Sequence, residues 1–121
     1  MENEIKNRTK KIGVNIINLI DSLPRSPAIF VVANQVIKSS TSIGANYRAA
    51  CRAKSGPDFI NKLKIVEEEA DETLFWIEIL EDSALIKPEI SVFIKKELNE
   101  IISIVVASIK TLRHKQNQTI V

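Results

Sequence analysis

A second cysteine is missing from this 121-residue chain, so Cys51 cannot close a disulfide within it. Histidine also occurs only once, at position 114. That leaves no imidazole pair for acid–base work and no Glu-x-x-His repeat for a carboxylate-bridged di-metal bundle. Three glycines and four prolines are too few for a loop-rich fold, and none of the glycines sits in a phosphate-cradling run. Long apolar runs are absent as well. The longest, Ile101 to Ile109, is interrupted by Ser103 and Ser108 and falls short of the roughly 20 residues needed to cross a membrane. The opening stretch MENEIKNRTKK is polar and charged, without a signal core. These absences point to one cytoplasmic domain over residues 1–121. It is expected to have no metal, no cofactor, no small-molecule substrate and no membrane association. A thiol with no histidine beside it is expected to be buried rather than nucleophilic.

What the chain does have is helical periodicity. Apolar residues recur at Ile5, Ile12, Ile16 and Leu19, then at Ile29, Val36 and Ile43, at Leu63, Val66, Ala70 and Ile77, and at Ile90, Ile94, Leu98, Ile101 and Val105. Breakers at Pro24–Pro27, Ser55–Pro57 and Ile86–Pro88 divide the pattern into four predicted helices, about 4–22, 27–53, 57–83 and 88–115, with a frayed tail from 116 to 121. Ser26 before Pro27, and Ser55 three residues before Asp58, have the form of N-caps. Gly44 lies inside a stretch of small residues on the second helix. There it costs about 1 kcal/mol relative to Ala, so a close helix approach is expected to compensate. Joints of a few residues cannot cross about 40 Å of bundle at roughly 3.5 Å per residue. The expected fold is therefore all-α, an up-down-up-down antiparallel four-helix bundle.

That topology sorts the charges. A formal net charge of +2 conceals two unlike ends. The end holding the start of helix 1, the joint between helices 2 and 3 and the close of helix 4 collects twelve basic residues against Glu2, Glu4 and Asp58, a net of +9. The remaining length is left at −7. The cations on helix 1 stand where the helix dipole favours acids, so their placement points beyond helix stability. Arg8, Lys10, Lys11, Arg48, Arg52, Lys54, Arg113 and Lys115 are the candidate phosphate contacts. Apolar residues in excess of one stripe per helix imply a homo-oligomer, with Ile65, Trp76, Ile79, Ile102 and Val106 as candidate interface residues. The acidic run Glu67–Glu72 carries like charges one turn apart and reads as a surface in need of basic partners.

The pattern Ser42-Ile-Gly-Ala-Asn46, Ala50, Ser55, Asp58-Phe-Ile60, Lys62, Glu69-Ala70, Glu72-Thr73 and Trp76 resembles the bacterial four-helix-bundle family of 23S rRNA intervening-sequence proteins. That family is in turn similar to the accessory protein of diversity-generating retroelements. The resemblance runs through helices 2 and 3. It implies a ring-like homo-oligomer, a pentamer, in the bacterial cytoplasm, with a link to RNA or DNA and no catalytic residues to carry over. Ala49 and Glu68 depart from it: an acid is expected at the first position and a lysine at the second. The function expected from sequence is thus a non-enzymatic homo-oligomeric bundle that binds structured RNA or DNA through a basic pole. The alternative is a protein–protein scaffold or accessory subunit with no nucleic-acid role.

Overall fold

In the computed structural model the backbone is described for residues 1–120 and the side chains for residues 1–117. Four helices follow one another: α1 Glu2–Asp21, α2 Pro27–Cys51, α3 Gly56–Asp82 and α4 Pro88–Ile120. No strand occurs among the described residues. Each of α2 and α3 opens as its sequence requires. Ser26 Oγ accepts from Ile29 N–H, and Ser55 Oγ accepts from Asp58 N–H. Asp58 departs slightly from a capping box, because its carboxylate accepts from the Lys54 amide rather than from that of Ser55. The predicted boundaries hold to within two residues except at the end of α4. That helix continues five residues past 115, because nothing between Lys115 and Ile120 breaks it. The tail expected to fray is therefore helical as far as it is described, and Val121 lies outside the described residues.

The close of α3 holds the one non-glycine residue with positive φ among the described residues. Leu85 N–H reaches back to the Leu80 carbonyl and Ala84 N–H to that of Glu81, which is the Schellman closure. It forces Ala84 to φ 60°, where glycine is the easy occupant.

Neighbouring helices pack as α1–α2, α2–α3 and α3–α4, and a thin α1–α4 seam closes the circuit. The diagonal pairs make no backbone contact, so α1/α2 and α3/α4 form opposite faces of the bundle. The core runs its full length through residues such as Ile12, Ile43, Leu63, Ile77, Leu98 and Ile101, each no more than 1 % exposed. Five hydroxyl residues are buried with it: Thr9, Ser39, Ser40, Thr73 and Ser91. Most return a hydrogen bond to their own helix, as Thr9 does to the Ile5 carbonyl. Ser39 and Thr73 also bond to each other at 2.8 Å. Thr73 spends its proton on the Glu69 carbonyl, which makes Ser39 the donor of that link between α2 and α3.

Small residues set the α1–α2 spacing. A Cβ at Gly44 would stand 3.1 Å from the Lys10 amide nitrogen and 3.2 Å from Lys10 Cα and from the Thr9 carbonyl carbon, all of them backbone atoms. A Cβ at Gly13 would meet Thr41 Cγ2 at 3.2 Å. The cost of Gly44 in mid-helix is thus balanced by backbone-to-backbone approach, as its position in sequence implied.

Candidate nucleic-acid interface

The topology brings the three expected segments together at one end. Met1, Phe59 and Leu112 line one shallow pocket. The Cys51 thiol lies beside the Glu2 carboxylate, and Gly56 stands against the Gln116 side chain. Arg52, Lys54 and Arg113 are exposed around this tip and make no ion pair among the described residues. Lys115 is exposed on the same tip. A little higher, between α1 and α2, the close approach at Gly13 and Gly44 leaves a groove of about 440 Å³. Lys6, Lys10 and Arg48 line it, with Gly44, Ala45, Val14 and Ile17 along its floor and upper part. Lys10 and Arg48 are also without ion pairs among the described residues. Lys6 pairs with Glu2 at 3.6 Å.

Arg8 takes a different place from the one expected. Its side chain crosses the α1–α4 seam and donates to Glu97 through Nε at 3.0 Å and Nη2 at 2.6 Å, and to Glu100 at 2.7 Å. Glu4 lies 4.0 Å from the same guanidinium. The hydrogen bonds from Arg8 hold the Glu97 carboxyl below the usual carboxylate range, and the two acids in turn keep the guanidinium firmly protonated. Arg8 therefore presents a neutralised cluster and closes the thinnest seam.

The net charge of the end changes for the same reason. Glu97 and Glu100 stand at the level of Arg8, and Glu67 and Glu68 stand near that of Lys10. The twelve basic residues thus meet more acids than the three that helix order assigns to them, and the excess at this end is smaller than +9. Helix order alone makes these acids look distant, because it carries no information on relative helix height. The tip beyond this level keeps an excess of cations, since only Glu2, Glu4 and Asp58 oppose Arg52, Lys54, Lys62, Lys110, Arg113 and Lys115 there.

Burial and the nearby Glu2 carboxylate push the Cys51 thiol up, away from the thiolate that a nucleophile needs. Burial also pushes the neighbouring Tyr47 phenol up, to about 12. No group of three or more His, Cys, Asp or Glu side chains among the described residues could hold a metal ion. No described helix is long and apolar enough to cross a membrane.

The interface candidates on α3 and α4 divide. Ile65, Trp76, Ile79, Ile102 and Val106 are all half-buried. Trp76, Ile79 and Ile102 pack against the bundle's own core, and the buried Trp76 Nε1 has no hydrogen-bond partner. The more exposed apolar groups are others: Phe30 and Phe93 at 70 %, with Val31 and Val92 beside them in sequence, and Phe75. Phe30 and Phe93 lie at the starts of α2 and α4, at the end opposite the basic tip. Their apolar character was legible in sequence, but the face they occupy was not.

A four-helix bundle with a cationic tip defines the class. Comparison places it further. The model of the 23S rRNA-intervening sequence protein family matches residues 1–107, and the chain belongs to that family. Among solved structures, it is similar to a protein of unknown function from the S23 ribosomal protein family of Bacteroides thetaiotaomicron. The two share 38% identity and a TM-score of 0.83, over 90% of this chain and 97% of that one. Comparison with curated proteins returns no match.

Proposed function

We propose that this protein is a non-enzymatic, homo-oligomeric bundle of the bacterial cytoplasm that binds structured RNA or DNA through its basic tip. The carrying observation is the cluster of exposed cations where four helix ends converge, in which Arg52, Lys54 and Arg113 make no ion pair among the described residues. Cations that satisfy no acid of their own chain remain available to phosphates, and arginine suits bidentate contact. The family's name links its members to ribosomal RNA, which supports the same reading. The resemblance favours a ring of five copies. Binding of this kind is mostly sequence-independent and steeply salt-dependent.

The test is a salt titration of an RNA hairpin and a DNA duplex against wild type and an Arg52→Glu/Arg113→Glu variant. Wild type should show log affinity falling linearly with log salt, at about −0.9 per duplex phosphate neutralised. The variant should bind at least about tenfold more weakly, with a slope shallower by roughly one per lost contact. Binding that is insensitive to salt, or equal in the two proteins, would exclude the tip. The scaffold reading is favoured by the exposed Phe30 and Phe93, and it predicts partner capture that persists in high salt.

A further inference from the structure

We propose that the basic groove between α1 and α2 receives the acidic outer face of α3 from a second copy of this chain. The inference rests on the homo-oligomeric part of the function proposed above and names the two surfaces that meet. They lie on opposite faces of one bundle, since α1/α2 and α3/α4 are the two layers. The first carries Lys6, Lys10 and Arg48. The second has a shallow notch lined by Lys64, Glu67, Glu68, Asp71 and Ile102, with Phe75 one turn beyond Asp71. The groove thus carries three cations, of which Lys6 is paired with Glu2, and the notch lining carries a net −2. Lys10, Arg48, Glu67, Glu68 and Asp71 make no ion pair among the described residues, so each surface carries charge that the monomer leaves uncompensated.

The two surfaces also match in height. Gly44 of α2 abuts Lys10. Five residues earlier on α2, about 7.5 Å higher, Ser39 bonds Thr73 of α3. Because α3 runs opposite to α2, the level of Lys10 falls five residues before Thr73, at Glu68. Seven residues above Lys10 is Ile17, 39 % exposed, and seven above Glu68 is Phe75, 51 % exposed. Both steps are about 10.5 Å. A neighbour placed beside the bundle with its helices pointing the same way sets Lys10 against Glu68 and Ile17 against Phe75 with little axial slip.

Each copy offers one surface of each kind, so the contact is heterologous and passes from copy to copy. A pairing without axial slip does not climb along the bundle, and it closes into a ring where the two faces are inclined to one another. The groove cations are then spent on the neighbour, and the exposed tip is left to phosphate.

The experiment uses the full chain with Lys10→Glu, Glu68→Lys and the double exchange, each checked for helix content by circular dichroism. Mass is followed by light scattering across concentration at low salt. Wild type should assemble well above 13.6 kDa. Each single reversal should raise the concentration needed for assembly at least about tenfold, and the double exchange should restore it. An oligomeric wild type whose mass none of these changes shifts would overturn the pairing and leave oligomerisation standing. The pairing is equally overturned if the double exchange fails to rescue, or if the single reversals abolish RNA binding while assembly is unchanged. A wild type at monomer mass throughout would remove the oligomer reading and the pairing together.

Discussion

Replacing Gly44 by alanine sets two known effects against each other. Alanine in the interior of a helix gains about 1 kcal/mol over glycine. The new methyl group, however, would lie 3.1 and 3.2 Å from three backbone atoms of Thr9 and Lys10. Backbone cannot swing aside, and α1 is pinned one turn higher by Gly13 against Thr41. Overpacking of this kind costs about 1–3 kcal/mol. The net expectation is a loss of about 1 kcal/mol, read as a fall in Tm of roughly 3–6 °C for a domain of this size. Gly56→Ala is the matched control. Its Cβ would come even closer to another atom, 2.9 Å, but that atom is the end of the Gln116 side chain, which can rotate away. It should therefore stay within about 0.5 kcal/mol of wild type. Thermal unfolding followed by circular dichroism decides between them. If Gly44→Ala melts at or above wild type while Gly56→Ala falls, then glycine at 44 is not what sets the distance between α1 and α2.

Further outcomes follow from the helix ends and the α1–α4 seam. Ala84→Gly relieves the left-handed residue after α3 and should stabilise by about 0.5 kcal/mol, measured by urea denaturation. Ser26→Ala removes the acceptor for Ile29 N–H and should destabilise by about 1 kcal/mol in the same assay. The Arg8 cluster gives a pH dependence. Glu97 is held below its unfolded value, so its contribution is complete above that value, near 4.3, and is lost as pH falls through the lower folded one. Wild type should thus lose about 1 kcal/mol more than Arg8→Ala between neutral pH and pH 3, a figure kept small because the pair is partly solvated. Parallel stability-against-pH curves for the two proteins would refute this.

The helices were legible because periodicity and breakers agree: Ser26-Pro27 and Ser55-Gly-Pro57 state their caps outright, and the apolar stripes name most of the core. The exceptions share a cause. Thr9, Ser39, Thr73 and Ser91 are polar by type, yet each hydroxyl finds an acceptor inside the bundle: a carbonyl of its own helix for Thr9 and Thr73, the Thr73 hydroxyl for Ser39 and the Glu81 carboxylate for Ser91. Ile90, expected in the core stripe of α4, is exposed, while Ser91 beside it is buried. The site was legible in part. That cations gather at one end follows from helix order alone. Which cations are already neutralised depends on partners 89 and 92 residues away, and on heights that only packing fixes. The groove was hidden for a similar reason, since it arises from two glycines on different helices. Gly44 stands out in its run of small residues, whereas Gly13 has no such neighbours to mark it.

The Ser39–Thr73 bond has a consequence for how the bundle selects one alignment. The apolar stripes of α2 and α3 repeat at intervals near seven residues, so a slide of two turns would again lay hydrophobic side chains against hydrophobic side chains. Such a slide would bring Val66 or Leu80 to the place of Thr73. Ser39 would then be left with only its long 3.3 Å bond to the Val36 carbonyl. Thr73 would keep its bond to the Glu69 carbonyl but lose the proton it accepts, and the loss of one such hydrogen bond costs about 0.5–1.5 kcal/mol. Two small oxygens therefore act as a vernier mark, penalising the offset alignments that a purely greasy seam would accept.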